Sequence, residues 1–190
     1  MIIISQNAAN YDVKFPDDCV FRINLAWCDS LDELQKILDK HPNHAIFVDL
    51  PIGRLKPPNN KYQLDELIPI LESNSQIKYF AVSNVESASD IAVFKNTIPK
   101  SITIVPKIES PQAIQNLEDI TNSLDYAQNF LMLDHDDLYS KILKNNEDPK
   151  KFQEYVKELI EHCNRKNISL LRTVGVIFSD DEKRISQYVK

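Results

Sequence analysis

The sequence predicts an α/β fold, a parallel (β/α) barrel with about seven strands, on the basis of two observations. Short apolar runs recur along the chain, and most are followed by a segment with the period of an amphipathic helix. Such alternation predicts a parallel sheet, open or closed. Charged residues also stand where several predicted strands end, and barrel enzymes place their chemistry at that end of the strands. The 190 residues are expected to form one domain over 1–190.

The elements follow one another in a regular order. Ser30 and Glu33 form a capping-box pattern that opens a helix ending near His41. Pro111 and Pro149 suit the first turns of two later helices. Further helices are expected at 63–73, 88–96, 112–122 and 149–166, and one opens at Leu138. The predicted strands cover 1–5, 20–26, 45–50, 78–83, 102–109, 130–133 and 169–176.

The predicted barrel is incomplete. The link from strand one to strand two has Asn, Asp and Pro instead of a helical pattern, so the first crossover helix is expected to be missing. A short helical tail from Asp180 follows strand seven, with no eighth strand. Strands one and seven would then expose unpaired edges, which natural proteins cover or pair. We expect a homodimer across this seam, and the alternative is that the tail covers it within one chain.

Composition excludes several classes of function. The net charge of −6 and the absence of a basic stripe argue against nucleic-acid binding. No apolar run approaches membrane-spanning length and no signal segment is seen, so a cytoplasmic protein without membrane contact is expected. The two glycines exclude a glycine-rich phosphate loop. Three scattered cysteines argue against a disulfide framework or zinc site, and His41, His44 and His162 are expected at the surface.

The segment IVPKIES at 104–110 is the most informative part of the chain. Residues i and i+2 of a strand share a face, so Lys107 and Glu109 should point the same way. The next predicted strand runs into the acidic segment 134–137, which could bring further carboxylates to the same place. Two simpler interpretations compete. The Lys-Glu pair could be a surface ion pair worth under about 1 kcal/mol, and the aspartates could cap a helix, which is favoured for Asp134 and Asp136.

Five segments resemble, in order and spacing, consecutive motifs of the pyruvate kinase family. They are FRINLA at 21–26, VDLPIGR at 48–54, IVPKIES at 104–110, MLDHDDL at 132–138 and CNRKN at 163–167. The resemblance implies the catalytic barrel of that family, TIM-barrel-like and truncated. There is no room for the family's inserted lid domain between predicted strands three and four.

The resemblance also implies roles for individual residues. Lys107 would stabilise an enolate and a transferring phosphoryl group, and Arg22 would bind substrate phosphate. Glu109 and Asp137 would hold Mg²⁺ or Mn²⁺, an oxygen-seeking cation that often needs only one or two protein carboxylates. Asn24 and Asp49 would match the K⁺ site, although Ala26 lacks the hydroxyl that the family places there. Arg22 and Asp49 could equally form a structural salt bridge.

The implied function is a divalent-metal-dependent enzyme that acts on phosphoenolpyruvate, pyruvate or a related 2-oxo acid through an enolate. Ala26-Trp27 replaces the family's Ser-His, and His135-Asp136 replaces its Arg-Gly, so authentic pyruvate kinase turnover and nucleotide use are not expected. One alternative is a catalytically degenerate homologue that acts as a binding or regulatory partner. Another is a subunit whose missing strand comes from a second chain. The retained lysine and carboxylates favour an enzyme.

Overall fold

The structure, a computed structural model, describes residues 3–5, 18–52 and 61–172. Its strands are β1 Ile3–Ser5, β2 Val20–Asn24, β3 Ala45–Leu50, β4 Ile77–Val82, β5 Thr103–Ile108, β6 Phe130–Leu133 and β7 Ser169–Arg172. Its helices are α1 Leu31–Lys40, α2 Leu64–Ser73, α3 Ala88–Thr97, α4 Pro111–Gln115, α5 Leu117–Asn122, α6 His135–Lys144 and α7 Lys151–Lys166.

All seven strands form one parallel sheet whose spatial order is the order of the chain, β1 to β7. The sheet is curled and flanked by helices, so the expected α/β class and a partial parallel barrel are confirmed. Within the described ranges no pairing joins β7 to β1. The predicted gap in the first crossover, the end of strand seven and the tail from Asp180 lie outside the described residues.

Several predicted helix boundaries were wrong. The helix expected at 112–122 is broken at Asn116, which leaves helical geometry with φ −103° and ψ 16° and donates its side-chain amide to the Glu86 carbonyl at 2.7 Å. The helix expected from Leu138 begins at His135, because Asp134 accepts a hydrogen bond from the Asp137 N–H and caps the first turn. The first helix begins one residue after Ser30, whose hydroxyl accepts from the Glu33 N–H at 3.1 Å, as predicted.

The main core lies between the sheet and its helices. Phe21, Ile46, Val48 and Phe80 contribute the strand side of this layer and are almost fully buried. Apolar faces of the helices cover them, including Leu34 and Leu38 of α1, Ile91 of α3 and Leu159 of α7. Two expected surface histidines also proved buried. His41 is stacked on Phe21 with ring centroids 4.0 Å apart, and His162 Nε2 lies 3.0 Å from Thr121 Oγ1.

A second apolar layer covers the concave side of the sheet, which we call the inner face. It consists of one or two residues from each of β2 to β6: Val20, Phe47, Ala81, Val105, Phe130 and Met132. Successive side chains of a strand point to opposite faces, so these residues alternate with the main core along each strand. Burial of both faces explains why the strands read as nearly continuous apolar runs.

No helix in the described part of the chain combines the length and the apolar character that crossing a bilayer requires.

Candidate metal centre

A layer of polar side chains lies directly above the apolar inner face. Because the strands are parallel, their C-terminal ends meet at one edge of the sheet, here called the carboxyl edge. On or just after each of the strands β2 to β6, the residue two positions beyond an inner-face residue is polar, and its side chain lies at this edge. These residues are Arg22, Asp49, Ser83, Lys107 and Asp134. Residues i and i+2 of a strand point to the same face, so the polar layer lies on the same side of the sheet as the apolar inner face.

Lys107 is the centre of this layer. Its ammonium lies 2.7 Å from Glu109 Oε1, 3.5 Å from Asp134 Oδ2 and 3.9 Å from Asp49 Oδ1, and it donates to Ser83 Oγ at 3.4 Å. Only 5% of the side chain is exposed. Burial alone lowers the pKa of Lys107, but attraction to the three carboxylates outweighs burial and raises the pKa above its ordinary value. Lys107 is therefore a buried ammonium at neutral pH, and the surface ion pair is excluded.

Glu109 is held by two donors. Oε1 contacts Lys107, and Oε2 accepts the backbone N–H of Asn84 at 2.6 Å. Burial raises the pKa of Glu109, the Lys107 and Asn84 contacts lower it, and the nearby Asp134 charge raises it further, with a net upward shift. Both pKa values therefore rise, but for different reasons: burial is the main cause for Glu109, and the surrounding carboxylates are the cause for Lys107.

Asn84 reaches Glu109 by an unusual backbone conformation. Its φ of 54° is in the left-handed region, which is uncommon for a residue other than glycine. The side chain holds it there, since Nδ2 donates to the Ile52 carbonyl and Oδ1 accepts from Lys141 Nζ at 2.6 Å. Residues in such conformations persist when their surroundings determine them, and they are frequent at functional sites.

Three carboxylates can converge beside Lys107. One ligand oxygen from each of Glu109, Asp134 and Asp137 lies within 4.8 Å of the others, and we call these residues the acidic triad. Asp134 serves two purposes, because Oδ1 caps α6 and Oδ2 faces Lys107. Sequence reasoning favoured capping as the role of Asp134. Asp136, by contrast, is exposed on the first turn of α6 and is not part of the triad.

Arg22 and Asp49 form the salt bridge that the sequence left open. Nε and Nη2 of Arg22 both donate to Asp49 Oδ2, and the Asp49 side chain is fully buried. Asp49 Oδ1 has no hydrogen-bond partner in the described part of the chain and faces Lys107 at 3.9 Å. Asn24 pairs with Asp49 in the strand register, but its side chain caps the 3-10 turn Leu25–Trp27 by accepting the Ala26 N–H at 3.0 Å.

The structure therefore brings Lys107, Glu109, Asp137, Arg22 and Asp49 to one edge of the sheet, while Asn24 lies at the same edge with its side-chain oxygen engaged in a cap. Sequence reasoning did not identify Ser83, Asn84 or Asp134 as site residues. Ser83 and Asp134 could have been predicted, because each stands two residues after an inner-face residue and therefore points to the same side of the sheet. No sequence signal marks the left-handed backbone of Asn84.

Comparison with known proteins supports the fold. No family model matches the chain, and neither does any curated protein. Among solved structures, the crystal structure of RipC from Yersinia pestis is similar, with a TM-score of 0.61 and 14% sequence identity over 88% of this chain and 75% of that chain. At this identity the similarity shows a common fold alone.

Proposed function

We propose that the acidic triad binds a divalent cation such as Mg²⁺ or Mn²⁺, and that the cation and Lys107 together act on a small 2-oxo acid or phosphoenolpyruvate through an enolate. The observation that carries this proposal is the meeting of three carboxylate oxygens within 4.8 Å, beside a buried lysine at the carboxyl edge of a parallel sheet. A protein of this kind would resemble the pyruvate kinase barrel in its lysine and metal-binding carboxylates.

The residues present fit a hard cation. All three side chains of the triad offer oxygen, the ligand type that Mg²⁺ and Mn²⁺ prefer. Each carboxylate oxygen has two lone pairs, so the hydrogen bonds to Glu109 and Asp134 leave acceptor capacity for an ion. Among the described residues, Asp49, Glu109 and Asp134 bring three negative charges to Lys107 and Arg22, which leaves one negative charge in excess. Asp49 Oδ1, which is buried and accepts no hydrogen bond from any described residue, is consistent with this excess.

Lys107 would act as a fixed positive charge. Its raised pKa keeps the ammonium protonated, which disfavours a Schiff base because that reaction requires a neutral amine. An ammonium fixed in a buried site can stabilise a developing enolate oxygen without reorganisation, which is the largest catalytic effect in many enzymes. A bound cation would act as a Lewis acid on the same ligand.

A second candidate is a binding or regulatory protein without turnover. The observation favouring it is the direct contact between Lys107 and Glu109, which neutralises both groups without a ligand. A homodimer and a cytoplasmic location remain predictions under either function.

Calorimetric titration with MnCl₂, in the presence and absence of oxalate, tests cation binding. We expect the wild-type chain to bind Mn²⁺ and Asp137→Asn to bind it at least about tenfold more weakly, because one anionic ligand is lost. Asp136→Asn is the matched control, since it removes the same charge from the same turn outside the triad. Equal weakening in both variants would show that the effect comes from general charge alone.

Exchange of the pyruvate methyl protons in D₂O, followed by NMR, separates the enzyme from the binding protein. Enolisation labels the methyl group with deuterium, so wild type with Mg²⁺ should accelerate exchange over buffer and Asp137→Asn should not. Cation binding without any exchange would favour the second candidate.

A further inference from the structure

Lys141 stands out among the described cations near the carboxyl edge because its contacts leave most of its donor capacity unused. It lies on α6 one turn after Asp137, and residues four apart share a helix face. Its ammonium donates to Asn84 Oδ1 at 2.6 Å, and 26% of the side chain is exposed. The nearest described carboxylate is that of Glu86 at 3.7 Å, close enough for an ion pair but too far for a hydrogen bond. An ammonium has three donors, so the described contacts satisfy one.

The other cations of this region that the structure describes already have partners. Arg22 is paired with the buried Asp49, and Lys107 is surrounded by carboxylates. Arg172 donates to His135, whose ring packs against Phe152 of α7. Among the described residues of this region, Lys141 thus offers a partly exposed ammonium with unused donors.

Asn84 connects Lys141 directly to the acidic triad. The same residue donates its backbone N–H to Glu109 Oε2 and accepts the Lys141 ammonium on its side chain. The left-handed backbone at Asn84 allows these two groups to serve the two partners at once. Lys141 is therefore one residue removed from a triad carboxylate and more open to solvent than Lys107.

We propose that Lys141 binds the carboxylate of the ligand whose oxygens meet the cation, and so selects small acids over neutral carbonyl compounds. This inference rests on the proposed cation site and adds the group that recognises the acid. A carboxylate can accept the free donors of the ammonium while Asn84 keeps the lysine in place. The resulting hydrogen bond joins two charged groups, which is the stronger kind.

The test measures Mn²⁺ and oxalate separately in wild type, Lys141→Met, Lys141→Arg and Lys144→Met. Lys144 is an exposed lysine of the same helix and controls for the loss of one positive charge. We expect Lys141→Met to bind Mn²⁺ as tightly as wild type or more tightly, because a nearby positive charge is removed. Oxalate binding to the Mn²⁺-loaded variant should weaken at least about tenfold. Lys141→Arg should retain most of the oxalate affinity, and Lys144→Met all of it.

The outcomes separate this inference from the proposed function. Oxalate binding that is equal in wild type and Lys141→Met, with Mn²⁺ binding intact, would overturn the role of Lys141 and leave the cation site standing. Loss of Mn²⁺ binding in a folded Lys141→Met would also overturn it, because Lys141 would then act by positioning Glu109 through Asn84. A wild-type chain that binds no Mn²⁺ would overturn both proposals.

Discussion

Replacing Lys107 by methionine should destabilise the protein strongly, since methionine keeps the length of the side chain and removes its charge. Glu109 and Asp49 would remain at 2% and 0% side-chain exposure with their shared cation gone. At an effective dielectric constant of 20, the 2.7 Å contact alone represents about 6 kcal/mol of gross attraction. Desolvation offsets part of this, and removing one partner of a buried pair costs about 3–5 kcal/mol. For a chain of this size the melting temperature should fall by roughly 6–20 °C.

Urea denaturation followed by circular dichroism measures this effect, with the exposed Lys144→Met as the control. The double variant Lys107→Met/Glu109→Gln should recover at least about 1 kcal/mol, because one orphaned charge is then removed as well. Mn²⁺ should stabilise Lys107→Met more than wild type, since a bound cation would replace the missing positive charge. A loss of under about 1 kcal/mol in the single variant would show that Lys107 is not the main counter-charge of this site, and the reasoning would fail.

Two other predictions concern residues around the site and in the core. Burial, with smaller contributions from His44 and Lys40, lowers the pKa of His41 below its ordinary 6.5, so its contribution to stability is present above pH 6.5 and is lost as the pH falls through the lowered value. His41→Phe should therefore show a smaller drop in unfolding free energy between pH 7.5 and pH 5.5 than wild type, and parallel curves would contradict this. Asn84→Ala should be less stable than Asn84→Gly by about 1 kcal/mol, because alanine disfavours a φ of 54° while both variants lose the same side-chain bonds. Equal urea midpoints would indicate that the backbone relaxes in both variants.

The fold was largely predictable because it depends on local patterns. Apolar runs and helical periods gave the order and direction of the strands, and capping chemistry gave the start of α1. The strand expected at 20–26 ends at Asn24, because Asn24 caps the turn Leu25–Trp27 with its side chain. A single capping asparagine is a weaker sequence signal than the apolar run before it, so the predicted strand was too long.

The site was predictable only in part because its contacts are long-range. The capping role of Asp134 can be predicted from residues 134–137 alone. Its second contact, with Lys107 on another strand, leaves no signal in the local sequence. Burial of His41 and His162 likewise depends on neighbours in other elements, Phe21 and Thr121. The contact between Lys107 and Glu109 was the exception. Residues i and i+2 of an extended segment point to the same face, so their proximity could be predicted from the sequence.

The agreement between strand order and chain order also determines the sequence in which charges enter the site during synthesis. Each strand pairs with the one made just before it, so the sheet can grow from β1 towards β7 without waiting for a distant segment. Asp49 arrives when Arg22 is already present, and Glu109 follows Lys107 by two residues. Up to β5 each buried carboxylate of the site is thus produced together with its own cation. Asp134 follows directly after β6 and faces the same Lys107 as Glu109, so its charge is added when the apolar inner face beneath it is already in place.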